Sequence, residues 1–503
     1  MLLPPGLISL ADIRVAVDAE LDGPPRLLPP SSVHPALLAR REEFAAWAFE
    51  RVQGEFVPPA EVTVAVSKAG HGVRPVAVWD LPSRLTYSAL SDRLRPALPP
   101  VARSRGAYRA FQRAPSEAGA KYIVSSDIAA CYQFIDHALL ASELLTQTGE
   151  AATVSALISL LRETSGRTYG LPQQSPASDL LAETFLRRLE RALVRRGLKV
   201  WRYNDDFRFA CSSWSEVVRS VEVLADESRA VGLTVNDLKT VTWTAGKYTA
   251  NLDLAEALRT EIAAEAELDL TQIEIDYDGT VVEAAPDSGD VDALAAIRVL
   301  ERWNKIAGPG RGRMTQAKRP EHRAVVELLP AALKTLEAAP ETDPDVLALC
   351  MKVLRYERTA TPAVASYLMT RNGEAAVVSA FDKLLAAKAY LNGWQTWWLQ
   401  PVARHAGFAS GQGSKARNAW ARDALTVAEH SPVLRAHAAL TLARLGMVNS
   451  AELLSLYDRT NVTLRPVVAV AIALCQPAAD VAAAVRGDSR LHAWAYDWAS
   501  IHA

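Results

Sequence analysis

Two periodicities divide the chain. Apolar residues at every second position mark much of its first half, and helical spacing takes over the second. Val62, Val64 and Val66 recur with period two, and after a glycine-containing turn at 67–74 comes Pro75-Val76-Ala77-Val78. Side chains at alternate positions share a face of a strand, so the stretch reads as two strands of one hairpin. A helix follows from Leu81 to about Arg95, with Leu85, Leu90 and Leu94 apolar, and Pro96, Pro99 and Pro100 end it. Tyr122-Ile123-Val124 is a short apolar strand that runs into Asp127. Helical spacing returns at 150–166 through Val154, Leu157, Ile158 and Leu161. It returns again after Ser178, where Leu180, Leu181, Phe185, Leu189 and Leu193 point inward and Glu183, Arg187, Arg188 and Arg191 form a predicted solvated face.

The stretch 201–209 is a second hairpin. Trp201 and Tyr203 alternate with Arg202, and Phe207 and Phe209 alternate with Arg208, the pattern of a half-buried strand. Asn204 and Asp205 tolerate tight-turn dihedrals, so Asp205 and Asp206 stand at the exposed edge of the turn. A helix at 217–231 and a strand at 241–244 follow.

Beyond 245 the character changes. Positions 253–292 hold thirteen acids and one base, Arg259, with a hairpin signal at 273–282 around Asp278-Gly279. Positions 302–323 reverse the sign, with Arg302, Lys305, Arg311, Arg313, Lys318, Arg319 and Arg323 against Glu321. That stretch reads equally as a patch for a nucleic-acid backbone and as a linker. From 324 onward the spacing predicts only helices, at 325–336, 346–356, 363–369, 376–391, 416–428, 433–445, 451–457 and 467–474. Weak self-similarity between 434–440 and 464–470 makes this an α-helical-repeat array. Its tryptophans, Trp394, Trp397, Trp398, Trp420, Trp494 and Trp498, are expected in core packing or subunit contact ahead of base stacking.

Composition narrows the class. A chain of 503 residues with 50% hydrophobic content supports about two to four domains with substantial cores. The net charge of −2 excludes a uniformly basic nucleic-acid binder, so such binding needs a local basic surface. Cys131, Cys211, Cys350 and Cys475 are far apart, without zinc or disulfide spacing, which suits a reducing cytosol. Neither a signal peptide nor a membrane-spanning run of about 18 apolar residues is expected.

The candidate chemistry lies in 61–245. An Asp-Asp pair alone fits a solvated turn better than a cation site. Asp127 changes the balance, because an acid at the end of a buried strand is costly unless paired or metal-bound. Lys68 and Arg74, on one hairpin, are suited to gripping phosphate oxygens, though an ordinary solvated hairpin tip has the same residues.

Taken in order, these residues resemble a reverse transcriptase. Lys68, Arg74-Pro75, Asp80, Arg84-Leu85 and Tyr87-Ser88-Ala89-Leu90 are similar to the fingers segment of prokaryotic members. Asp127, Tyr132 and Ile135-Asp136-His137 are similar to the first palm motif. The run from Gly170 through Leu171-Pro172-Gln173-Gln174-Ser175-Pro176 to Ser178 resembles the second, with Gln174 where the family has Gly. Tyr203-Asn204-Asp205-Asp206 resembles the third motif, and Gly232-Leu233, Asn236 and Lys239-Thr240 the fourth.

The resemblance implies an α+β fold: right-hand polymerase fingers and palm, an antiparallel sheet with helices, at 61–245. Around it stand a helical extension at 1–60, an acidic hairpin segment and basic linker at 246–323, and an all-α, HEAT-like helical-repeat domain at 324–503. It implies two Mg2+ ions, with Mn2+ as substitute, roughly 4 Å apart on oxygen ligands. By resemblance Asp127 and Asp205 ligate them, with the backbone carbonyl of Ile128, and Asp206 supports them. Lys68 and Arg74 would meet the triphosphate, Tyr132 would exclude a ribose 2′-hydroxyl, Gln173 would line the nucleotide pocket, and Lys239 would stand near the pyrophosphate.

The long helical C-terminus is similar to the abortive-infection (Abi) class of bacterial anti-phage reverse transcriptases. That implies dNTPs as substrates and a single-stranded DNA product, protein-primed and covalently attached, from a cytoplasmic homo-oligomer. The priming hydroxyl is not specified; Tyr356, Tyr367, Tyr390, Tyr457 and Tyr496 are candidates, as is any Ser or Thr facing the site. The alternatives are a templated enzyme copying a partner noncoding RNA, and a non-enzymatic nucleic-acid-binding scaffold.

Overall fold

The computed structural model describes residues 3–23, 27–53, 55–68, 72–265, 273–275, 281–284, 289–307, 319–339, 342–387, 390–405, 415–427 and 429–502. Helices α1 (Leu10–Asp22), α2 (His34–Leu38) and α3 (Arg41–Val52) form the N-terminal extension. α1 and α3 pack on each other and on α4 (Leu81–Leu94). Strands β1 (Val62–Ser67) and β2 (Val73–Val78) pair antiparallel as expected, with Val66 opposite Arg74. Val62, Val64 and Val66 are buried.

The sheet that organises the molecule contains β3 (Tyr122–Asp127), β4 (Val200–Tyr203), β5 (Asp206–Cys211) and β6 (Val241–Thr244). Their order is β4-β5-β3-β6, and all pairs are antiparallel. Helices cover both faces. On one side lie α9 (Pro176–Arg195) and α10 (Trp214–Ala230), and on the other α5 (Arg105–Glu117) and α11 (Ala245–Glu265). Between them in the chain, α6 (Cys131–Phe134), α7 (His137–Thr148) and α8 (Ala151–Ser165) lead from β3 towards α9.

This double cover corrects two expectations. The 201–209 hairpin is not half-buried. Phe207 and Phe209 are fully buried on one face, but Arg208 on the opposite face is only 9% exposed. Its guanidinium lies 5.1 Å over the Phe111 ring of α5, and its Nε donates to the Tyr248 hydroxyl of α11. Nor is Glu183 part of a solvated face. It faces the buried Arg202 side chain, whose Nη2 lies 2.5 Å from Glu183 Oε1 and whose Nε lies 3.2 Å from Glu190. Arg191 likewise pairs with the buried Glu143. A period-2 or helical pattern tells which residues share a face, not whether that face meets water.

Past α11, the pairing of β7 (Ile273–Ile275) with β8 (Val281–Ala284) matches the expected hairpin, although its Asp278-Gly279 turn lies outside the described residues. α12 (Gly289–Ala307) carries Arg302, which pairs with Glu321 at 2.9 Å and Glu261 at 3.5 Å. Within that helical part of the basic stretch, Arg302 is thus paired inside the chain. Arg311, Arg313 and Lys318 lie outside the described residues.

The remainder is helical. α13 (Arg319–Glu337), α15 (Thr361–Thr370), α17 (Gly393–Arg404), α19 (Pro432–Arg444), α21 (Arg465–Leu474) and α23 (Arg490–His502) form one row, each touching the next. α14 (Pro344–Tyr356), α16 (Ala375–Ala386) and α18 (Lys415–Thr426) make a second row, while α20 (Ser450–Arg459) and α22 (Ala479–Asp488) pack on α21 and α23. α17, α22 and α23 were not expected from spacing. α17 has a signal that could have revealed it, the reciprocal capping box of Asn392 with Gln395.

α17 packs on β1. Asn392 at its start donates to Ser67 Oγ at 2.7 Å, beside Lys68. Trp394 and Trp398 both donate their indole N–H to the Leu27 carbonyl, at 2.6 and 3.1 Å. These tryptophans are packing residues, as expected. No helix among the described residues is long and apolar enough to cross a membrane.

Candidate active site

The β4–β5 turn places the acids. Tyr203 pairs with Asp206, leaving Asn204 and Asp205 as the two-residue loop. Asn204 takes φ +54, a left-handed conformation that asparagine tolerates. The Asp205 carbonyl accepts from Ile128 N–H at 3.0 Å, which ties the turn to the end of β3. Across the sheet Asp127 stands directly opposite Asp206. Three carboxylates from two neighbouring strands thus come to one sheet end.

Their surroundings divide the roles. Asp127 Oδ2 meets Lys239 Nζ at 3.1 Å and accepts from Asn236 Nδ2 at 3.1 Å. Asn236 N–H also donates to the Asp127 carbonyl at 2.7 Å, so the Asn236 loop is stitched to the strand end. Asp206 Oδ1 lies 3.7 Å from Arg208 Nη1. At Asp205 the Lys239 charge opposes the effect of burial but does not cancel it. Burial, then the charges of Asp127 and Asp206, push its carboxyl up to about 7. Such acid crowding favours a divalent cation, and an all-oxygen donor set suits a hard one. Among the described residues, though, no group of three or more His, Cys, Asp or Glu is gathered closely enough to hold a metal ion. Lys239 and Asn236 occupy Asp127 instead.

The β1–β2 hairpin carries Lys68 and Arg74. Burial and the neighbouring charges of Arg74 and Lys239 lower the Lys68 pKa, while Asp205 and Asp127 oppose that shift. Of these cations Lys239 touches an acid directly, through its 3.1 Å contact with Asp127, while Lys68 feels the charges of both Asp205 and Asp127. Gln173 lines a separate cleft of about 280 Å³ with Pro75, Ala77, Phe134 and Tyr169. Gln174 has φ +66, so it keeps the left-handed backbone that a glycine adopts freely. Gly170 is itself required, since a Cβ there would lie 3.2 Å from the Gln133 carbonyl.

Tyr132 stands beside the turn. Its hydroxyl donates to Asp179 Oδ1 at 2.5 Å and accepts from Arg103 Nη2 at 2.5 Å. Sequence reasoning missed Arg103, Asp179 and Arg202, and gave Asn236 no role. Asp179, Glu183 and Glu190 share one face of α9, four and then seven residues apart, and that spacing was the available signal.

A family model described as reverse transcriptase (RNA-dependent DNA polymerase) matches residues 66–280. That span is similar to a reverse transcriptase domain. Two solved structures align with it: telomerase from Candida albicans and telomerase from Candida tropicalis, each in complex with a TWJ fragment of telomeric RNA. Identities are 9% and 12%, and TM-scores 0.29 and 0.28. The alignments cover 67% and 71% of this chain, and 65% and 67% of those chains, so this chain spans just under two thirds of the first. No curated protein matches the sequence.

Proposed function

We propose that the chain synthesises DNA from dNTPs as an abortive-infection reverse transcriptase of the bacterial cytoplasm, starting strands on one of its own hydroxyls. The observation that carries the polymerase reading is the register of Asp127 opposite Asp206, with Asp205 in the adjoining turn. Mg2+ held by Asp127, Asp205 and the Ile128 carbonyl, supported by Asp206, would polarise the attacking hydroxyl and the leaving pyrophosphate. Lys68 and Arg74 bind the triphosphate from the fingers. Lys239, which meets Asp127 at 3.1 Å, is placed to exchange that partner for the phosphates of an arriving dNTP. Tyr132 walls the sugar. The two-row stack of helices supports a HEAT-like reading of the C-terminal region, and the contact of α17 with β1 would link it to the nucleotide site.

Burial narrows the priming hydroxyl. Tyr367, Tyr457 and Tyr496 are 1%, 4% and 5% exposed, whereas Tyr356 and Tyr390 are 47% and 78% exposed. Tyr390 precedes by two residues Asn392, whose side chain holds Ser67 next to Lys68. It is therefore the favoured primer. Its phenolic oxygen would attack the α-phosphorus of a dNTP, releasing pyrophosphate and leaving a tyrosyl phosphodiester.

The test is incubation of the purified protein with labelled dNTPs and Mg2+ or Mn2+, followed by denaturing electrophoresis. Label that stays on the protein and is removed by DNase supports the reading. Free product copied from a copurifying RNA favours a templated enzyme, and no incorporation favours a non-enzymatic scaffold. Tyr390→Phe should remove the covalent adduct while leaving extension of an added primer; an undiminished adduct would exclude Tyr390.

A further inference from the structure

We propose that Arg103 and Asp179 set the sugar specificity of this polymerase by bracing Tyr132 in a single orientation, an inference that rests on the polymerase reading above. The three side chains close a triangle. Arg103 Nη2 donates to the Tyr132 hydroxyl at 2.5 Å and to Asp179 Oδ1 at 2.9 Å, and the Tyr132 hydroxyl donates to the same Asp179 oxygen at 2.5 Å. Asn204 Oδ1, in the turn that carries Asp205, stands 3.5 Å from that hydroxyl.

The members come from three distant parts of the chain. Arg103 precedes α5, Tyr132 lies in the four-residue helix α6 just past Asp127, and Asp179 lies in the first turn of α9. Each is anchored separately. Ala130, at φ +49, turns the chain back so that Tyr132 faces the acids' end of the sheet. Asp179 stands at a helix N-terminus, where exposed N–H groups and the dipole favour a carboxylate. Arg103 contributes a planar fork, which fixes direction as well as distance.

Ribose and deoxyribose triphosphates differ by one hydroxyl. A wall of yielding position rejects such a small group weakly, whereas one locked in place turns it into a steric conflict. An unbraced tyrosine ring has several staggered orientations open to it, and the triangle selects one. Arg103 and Asp179 are positioning residues here. Their side chains are 24% and 35% exposed, so the brace can be cut without opening the core.

The experiment measures kcat/KM for a dNTP and its matching NTP with full-length protein, wild type against Arg103→Ala, Asp179→Asn and Tyr132→Phe. The dNTP-to-NTP preference should fall about ten-fold in all three, the scale of one charge-assisted hydrogen bond, through improved use of the NTP. Tyr132→Phe keeps the ring and loses only the hydroxyl that the brace grips, so it should reproduce the other two. Equal losses for both substrates in Arg103→Ala and Asp179→Asn would overturn the proposal, assigning the pair to folding or to the triphosphate. An unchanged preference in Tyr132→Phe would overturn it as well. Absence of any incorporation by the wild type would instead sink the polymerase reading itself.

Discussion

Exchanging Asp127 and Asp205 for asparagine will abolish dNTP incorporation, by at least on the order of 10³-fold, while leaving the four-stranded sheet folded. Asparagine has the shape of aspartate and can still receive the Asn236 and Lys239 contacts through its amide oxygen. What it lacks is charge. The wild-type protein holds three carboxylates at one sheet end, and burial with those neighbours pushes Asp205 up to about 7 from 3.8. An acid whose folded pKa lies above its unfolded value destabilises the fold progressively as pH rises through that interval. The sign is therefore opposite to that of a paired surface acid. In EDTA, Asp205→Asn should have an equal or higher melting temperature than wild type at pH 7, with the difference shrinking towards pH 4. A lower melting temperature would mean that the Asp205 carboxylate is held by favourable contacts. Incorporation that survives the double substitution would remove these acids from the reaction.

The largest loss of stability is expected at Arg202. Its side chain is 2% exposed, between Glu183 and Glu190 of α9, and its Nη1 also donates to the Asn204 carbonyl at 3.0 Å. One guanidinium thus joins the helix under the sheet to the turn that carries Asp205. Arg202→Met leaves Glu183 and Glu190 facing an apolar side chain and should destabilise by about 3–5 kcal/mol, the cost of stranding one partner of a buried pair. Adding Glu183→Gln and Glu190→Gln should recover much of that loss, because the uncompensated charges are then gone. Urea unfolding followed by tryptophan fluorescence measures both. A loss below about 1 kcal/mol in Arg202→Met would show that packing alone holds the hairpin.

Much of the region 61–245 was legible in the residues because its information is local. Alternation over 62–66 and 201–209, the Asn204-Asp205 turn and the acid ending β3 are each set by a few consecutive side chains. The expected hairpins at 61–80, 201–209 and 273–282 match strand pairs β1–β2, β4–β5 and β7–β8. The helical half was legible in kind but not in number. α17 contains Pro401 and begins at Gly393, which obscure its stripe, and it is buried nearly all round, with Gln395, Thr396 and Gln400 among its buried residues, so no single apolar face marks it.

Local pattern and order of residues determine which groups can do chemistry here: acids at strand ends and turns, cations on a hairpin, an aromatic just past Asp127. Only the packed chain decides which of the remaining charges are inside. Arg202, Arg208 and Glu183 look like surface residues along the chain, because hydropathy at one position carries no record of what a helix far away will cover. The coverage by α5, α9 and α11 makes them internal, and burial makes each pair obligatory, since an unpaired charge there is costly. The acids at the hairpin are the chain's own statement of its chemistry; the brace and the guanidinium beneath them exist only because distant segments meet.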